Sequence, residues 1–312
     1  MKAFVTGGAG FIGSHLVDKL IQRGDKVTVF DNLSSGETKY NKHHLDNPNF
    51  KFIEADLLDL KTVKKEIKNH DVVFHIAANS YVRLGEKQTR LDLEQGPIAT
   101  YNVLEAMRLN NIKKIIFSSS SVVYAETPNI DIPENYGPTL PISLYGAGKL
   151  GGEGLISSFC GTFGFKAWIY RFANVVGTRG THGVIVDFIA KLKKNPRELE
   201  ILGDGYQQKP YLYVTELVDG ILFGFEHSVE QINLFNLGVD SYTTVKHIAE
   251  MVVEEMKLKN VKFNYTGGKR GWAGDVPRFQ LSTQKMRKLG WQTSLSSDEA
   301  VRKAIREILD NE

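Results

Sequence analysis

The chain has 312 residues, 42% of them apolar and 24% charged, with a formal net charge of +3. That apolar content suffices for a sizeable core, and its lysines and arginines are scattered, leaving no basic patch that would suggest nucleic acid. A single cysteine, Cys160, excludes an internal disulfide, and no apolar run approaches the ~20 residues that a bilayer crossing needs, so a reduced, cytoplasmic protein without membrane contact is expected.

The residues 3–5 start a strand that leads straight into Thr6-Gly7-Gly8-Ala9-Gly10-Phe11-Ile12-Gly13, so no cleaved leader is expected. Residues 15–23 read as a helix with Leu16, Leu20 and Ile21 on one face. Strands follow at 26–31 and 50–55, a helix at 60–69, a Val- and Phe-rich strand at 71–77, a helix at 100–110 and a strand at 113–118. A long helix at 144–163 and a strand at 165–170 close this first half. Beyond Arg171 the alternation loosens, with helices at 184–194, 215–227, 244–257 and 301–309 and short strands at 199–202 and 234–237. The lysines at 191, 193 and 194 read as a solvated helix end. Strands alternating with helices imply an α/β fold of the Rossmann type, a doubly wound parallel sheet with helices on both faces. The expected division is a dinucleotide-binding domain over 1–171 and a smaller C-terminal α/β substrate domain over 172–312, some of whose segments pack back on the sheet.

One helix carries an anomaly. Gly146, Gly148, Gly151, Gly152 and Gly154 all fall within 144–163, and each interior glycine costs about 1 kcal/mol relative to alanine. Close approach to a cofactor, or to another helix at a dimer interface, is the expected compensation.

The opening glycines have the spacing GxxGxxG. Gly7 permits a tight turn, Gly10 lets the backbone approach a pyrophosphate, and Gly13 lets the helix pack closely against the strand. The pyrophosphate would sit at the helix N-terminus, where N–H groups and the dipole favour anions. Asp31 ends the second strand, 24 residues after Gly7. A carboxylate there can accept both adenosine ribose hydroxyls and would repel a 2′-phosphate, so NAD is expected over NADP. Asn32, Leu33 and Ser34 follow Asp31, with no arginine among them.

Tyr145 and Lys149 stand four apart on the long helix and share a face. An ammonium there would stabilise phenolate and let the tyrosine accept a hydroxyl proton near neutral pH. The fifth strand ends in Ser118-Ser119-Ser120-Ser121, at the sheet edge where doubly wound folds place ligands. A serine there can bridge substrate oxygen and tyrosine.

Together these residues resemble the extended short-chain dehydrogenase/reductase family, in its NAD-dependent epimerase/dehydratase branch. Further matches are Asp56-Leu57, His75-Ile76-Ala77-Ala78, Tyr170 to Gly177, Ile201 to Gly205, Arg270 and Gly274 to Pro277. The resemblance implies inversion of C4 of a UDP-linked hexose with NAD and no metal, in a homodimer built from the helices near 97–110 and 145–163. It makes Ser120, Tyr145 and Lys149 catalytic. It sets Gly7, Gly10, Phe11, Ile12, Gly13, Asp31, Asn32, Asp56, Leu57, Ala77, Ala78, Ser118 and Phe172 around the cofactor, together with Tyr145 and Lys149. It assigns Asn174, Val184, Leu202, Lys209, Arg270, Asp275 and Phe279 to the UDP-sugar. Dehydratases and decarboxylating relatives carry an acidic residue just after the catalytic Ser/Thr, whereas Ser121 and Val122 follow Ser120 here. Phe279, bulky beside the sugar's C2 substituent, would favour glucose over N-acetylglucosamine, but both sugars stay open. Three positions depart from the family pattern: Gly148 for serine, Gly96 for asparagine and Lys209 for arginine. The alternatives are a UDP-glucuronate 4-epimerase, a nucleotide-sugar oxidoreductase that releases NADH, or a non-catalytic NAD-binding regulator, which would be expected to lose the Tyr-Lys pair.

Overall fold

The structure is a computed structural model and describes residues 1–124, 126–127, 131–272 and 274–311. Seven strands, β1 (Lys2–Thr6), β2 (Lys26–Asp31), β3 (Phe50–Glu54), β4 (Val72–His75), β5 (Lys114–Ser120), β6 (Lys166–Phe172) and β7 (Ile232–Leu237), form one sheet. Their order is β7-β6-β5-β4-β1-β2-β3. β1 runs parallel to β2 and β4, β2 to β3, and β4 to β5. Phe4, Val5, Val72, Val73 and Phe74 are fully buried, as expected of strands covered on both faces. From β1 the chain winds out to β3, then returns and winds the other way from β4. That reversal opens a crevice at the C-terminal ends of β1 and β4, which is where such sheets take ligands.

The covering helices include α1 (Phe11–Gln22), α2 (Leu60–Glu66), α3 (Thr89–Leu93), α4 (Ala99–Leu109) and α5 (Leu144–Phe163). Local chemistry sets their ends. The Asp59 carboxylate accepts the N–H groups of Lys61 (3.1 Å) and Thr62 (3.3 Å) and starts α2. Ser143 Oγ accepts Gly146 N–H (3.1 Å) and starts α5, which Gly164 ends in the left-handed region. α4 and α5 bury Val103, Met107, Ile156 and Phe159 in one cluster with Ile115, Phe117 and Phe165. Each such side chain contributes roughly 1.5–3 kcal/mol. Cys160 lies in this cluster, and burial pushes its thiol up to about 11.

The chain divides into two compact units. One comprises Met1–Val123, Thr139–Arg171 and Ile221–Phe235, the other Tyr124–Pro138, Phe172–Gly220 and Asn236–Glu312. In the second unit Asn174–Val176 pairs in parallel with Tyr211–Tyr213, and Glu198–Ile201 with Lys262–Tyr265. Gln208–Lys209 pairs antiparallel with Thr243–Thr244. Its last helix, Ser297–Asp310, opens in a capping box of Ser296 and Glu299. Among the described residues no helix is long and apolar enough to cross a membrane.

Candidate active site

The glycine turn lies at the β1 end of the crevice. Gly7 adopts φ +70°, and a Cβ on it would come within 2.7 Å of the Ala77 backbone at the end of β4. A Cβ on Gly13 would overlap the Gly7 carbonyl, so the close packing this glycine permits is of the helix onto the turn itself. Gly10 differs from both. Its Cβ would meet only the Gly7 carbonyl oxygen, at 3.3 Å, so its outer face is open to a ligand. Gly10 also caps α1 without any side-chain hydrogen bond, and no acidic residue occupies the first turn. An exposed helix N-terminus with an open glycine fits a dinucleotide pyrophosphate.

Asp31 is buried at the end of β2. Its carboxylate accepts the N–H groups of Ala9 (2.9 Å) and Leu33 (2.9 Å). Burial raises its pKa, and those two N–H groups oppose the rise. Each oxygen takes one backbone donor, which leaves acceptor capacity for hydroxyls. Beside it Asn32 Nδ2 donates to Asp56 (2.9 Å), and the Leu57 carbonyl accepts Asn102 Nδ2 (2.8 Å). The predicted cofactor residues of the first unit therefore form a continuous rim from the glycine turn to Asp56-Leu57, with Ala77 against Gly7. Ala78 follows in the loop beyond β4, and Phe172 is buried in the second unit.

The serine run at the end of β5 divides its labour. Ser118 holds Lys149, whose Nζ donates to the Ser118 carbonyl (2.6 Å) and approaches its hydroxyl (3.3 Å). Ser119 donates instead to Glu153 (2.5 Å), which grips buried Arg171 through Nε (2.9 Å) and Nη2 (2.6 Å). Ser120 Oγ only accepts a long bond from Val122 N–H (3.4 Å), and its proton goes to no acceptor among the described residues. Lys149 Nζ stands 5.7 Å from the centre of the Tyr145 ring.

The electrostatics differ from the sequence expectation. Burial raises the Tyr145 phenol, and the Asp92 carboxylate raises it further. Burial pushes Lys149 down to about 7, against the pull of Glu153. The ammonium that was expected to favour phenolate is thus itself held back by desolvation, and burial and Asp92 oppose ionisation of the phenol. His75 is pushed down to about 3, by burial first and Lys149 second. It bridges Thr6 Oγ1 (2.8 Å) and Thr100 Oγ1 (3.0 Å), tying β1 to β4 and α4.

Two residues here escaped sequence reasoning. Glu153 continues the Tyr145, Lys149 face by another four positions, a signal that was available. Asp92 lies on α3, where no helix was expected. It is buried, with Oδ1 on Asn79 Nδ2 (2.9 Å) and Oδ2 without a hydrogen-bond partner among the described residues. The helix glycines other than Gly154 also find their explanation. A π-turn, Glu94–Ile98, presses Gly96 onto α5, so that its Cβ would lie 3.2 Å from the Gly148 Cα. A Cβ on Gly148 would stand 2.9 Å from the Asp92 carbonyl, and one on Gly152 2.7 Å from the Phe117 ring. Two of the departures from the family pattern therefore meet each other.

In the second unit most of the predicted sugar-nucleotide residues converge. Asn174 pairs with Tyr211, whose hydroxyl bonds the Asn174 side chain. Lys209 forms an ion pair with buried Asp275 at 2.5 Å. Asp275 also accepts Gly271 N–H (3.0 Å), and its backbone carbonyl lies 3.5 Å from Arg270 Nη1. Arg270 makes its ion pair with Glu126. A Cβ on Gly271 would touch Leu202, at 3.6 Å. Val184 starts the helix Val184–Lys194, and half-buried Phe279 follows Arg278, which bridges Gln208. Among the described residues no side-chain hydrogen bond or ion pair ties either of these two to the cluster.

Comparison with known proteins bears on this arrangement. Residues 3–238 match the model of the NAD dependent epimerase/dehydratase family. The UDP-glucose 4-epimerase of Mycolicibacterium smegmatis is 30% identical over 98% of this chain and 97% of its own. A solved structure of a UDP-galactose 4-epimerase is 39% identical, with a TM-score of 0.89 over 100% of this chain and 99% of that one. A UDP-N-acetyl-alpha-D-glucosaminuronate decarboxylase of Bacillus cytotoxicus is 32% identical over 80% of this chain and 78% of its own.

Proposed function

The chain belongs to the NAD-dependent epimerase/dehydratase family, and from that premise we propose that it inverts C4 of a UDP-hexose. The observation that carries this reading is the Tyr145–Lys149 pair, with Lys149 fastened to Ser118 where β5 ends, and no acidic residue at 121 or 122. Decarboxylase and dehydratase chemistry asks for an extra acid–base group, which this stretch lacks.

Gly7, Gly10, Phe11, Ile12, Gly13, Asp31, Asn32, Asp56, Leu57, Ala77, Ala78 and Phe172 would hold NAD. When bound, NAD supplies the hydride acceptor and donor at C4 together with a positive charge. Tyr145, ionised once that positive charge offsets burial and Asp92, would accept the O4 proton as C4 is oxidised to a 4-keto sugar and return it once C4 is reduced on the opposite face, with no net redox change. Ser120 bridges O4 and the phenol, its proton being available. Lys149, steadied by Ser118 and Glu153, keeps the phenol oriented. Asn174, Leu202, Lys209, Arg270 and Asp275 hold the uridine diphosphate, so the hexose can turn about its diphosphate link. Phe279 favours UDP-glucose and UDP-galactose over their N-acetylated counterparts. The exposed Tyr101, Leu109 and Phe163 of α4 and α5 form the contact of a homodimer.

The test uses purified protein without added NADH. UDP-galactose, UDP-N-acetylgalactosamine and UDP-glucuronate are supplied separately and followed by NMR. Interconversion of C4 epimers of either hexose is expected. No C4 epimer from any of the three, or release of carbon dioxide from the glucuronate, removes the reading.

A further inference from the structure

After β2 the chain makes a 3₁₀ turn, Thr38–His44, that ends in two adjacent histidines. Both rings point to α1. His43 Nε2 lies 2.9 Å and His44 Nε2 2.7 Å from the same carboxylate oxygen of Asp18. The two ring centres are 3.9 Å apart, and one ligand atom from each of the three residues falls within 4.8 Å of the others. His44 is buried, Asp18 half-buried and His43 exposed. This group lies outside the residues assigned above to NAD or substrate.

We propose that Asp18, His43 and His44 bind one divalent first-row transition-metal ion, such as zinc or cobalt, and that the ion serves as a structural staple. Two imidazoles and one carboxylate suit zinc, cobalt, nickel or copper far better than magnesium or calcium, which prefer all-oxygen sites. Ligands about 2.1 Å from one tetrahedral ion stand about 3.4 Å apart. The two ring nitrogens lie 2.9 and 2.7 Å from the Asp18 oxygen, so the three side chains move apart by roughly half an ångström to admit the ion. Metal binding needs a bare Nε2 on each ring, which a neutral imidazole supplies by carrying its one proton on Nδ1. Exposed His43 leaves a route from solvent and room for water ligands.

The position gives the staple its purpose. The same turn is fastened to the glycine loop: Asn41 Nδ2 donates to the Gly8 carbonyl (2.9 Å) and Glu37 N–H to the Ala9 carbonyl (3.0 Å). A Cβ on Gly36 would stand 2.9 Å from the Ala9 backbone. An ion shared by α1 and the turn closes the third side of this clasp, and so stabilises the folded chain.

The experiment uses untagged, chelator-treated full-length protein titrated with cobalt and with zinc. Cobalt is followed by its visible absorption, zinc by calorimetry and by the thermal midpoint. Expected are one equivalent per chain, a raised midpoint, and at least a tenfold loss of affinity in both His43→Gln and Asp18→Asn. His43 is exposed, so that variant should fold even where a substitution of buried His44 does not. His247→Gln, at another histidine near carboxylates, should bind as the parent does. Absence of a stoichiometric equivalent, or equal affinity in parent, His43→Gln and Asp18→Asn, overturns the proposal.

Discussion

Tyr145 sits among groups of its own chain that oppose its ionisation, burial first and Asp92 second. Asp92→Asn removes a negative charge at nearly constant shape. It should therefore lower the phenol pKa and move the acid limb of the epimerisation pH profile to lower pH. An unmoved limb would separate Asp92 from the phenol. Tyr145→Phe should cut turnover by roughly 10²–10⁴-fold while NAD stays bound, as read by NMR and cofactor fluorescence. His75 gives a stability prediction. Its imidazole is held near 3, against 6.5 in the unfolded chain. Between those values the unfolded chain binds the extra proton, so stability is complete above about pH 6.5 and is lost as pH falls toward 3. Urea unfolding at pH 7 and pH 4 should show a smaller difference in His75→Gln than in the parent.

α5 poses the question of why a helix tolerates so many glycines. Gly148 faces the Asp92 carbonyl at 2.9 Å, whereas Gly154 meets nothing within 4 Å. Gly148→Ala should destabilise by about 1–3 kcal/mol through overpacking. Gly154→Ala should stabilise by about 0.5–1 kcal/mol through helix propensity. Denaturant midpoints of the two variants should move in opposite directions, and equal effects would refute the packing explanation. The need for compensation was legible in sequence; its source was not, because the π-turn at Gly96 and Pro97 follows no 3.6-residue period. The main strands and α5 were legible because apolar runs and capping residues agree there. The Ser296–Glu299 capping box was present in sequence, yet the last helix was expected only from 301. Two-residue strands such as Gln208–Lys209 are set by distant partners and leave no local pattern.

At the scale of the whole molecule, the alternation of strands and helices announced the doubly wound sheet, and some segments after Arg171 were expected to pack back on it, but which segments did not show. Tyr124–Pro138 and Ile221–Phe235 each cluster with the unit away from their sequence neighbours, a consequence of long-range packing. The proposed homodimer belongs to this scale too. Tyr101 is 45% and Phe163 39% exposed, so Tyr101→Glu should shift sedimentation from dimer toward monomer while leaving the far-ultraviolet dichroism unchanged. The paired state of Lys209 and Arg270 has a further consequence. Each cation already has a carboxylate companion, Asp275 or Glu126, so a diphosphate taking the position proposed for it would exchange one ionic companion for another instead of meeting bare charge. With a formal net charge of only +3 on the chain, long-range attraction adds little. Added potassium chloride should then weaken substrate capture only gently, since the existing ion pairs and the incoming phosphate are screened together.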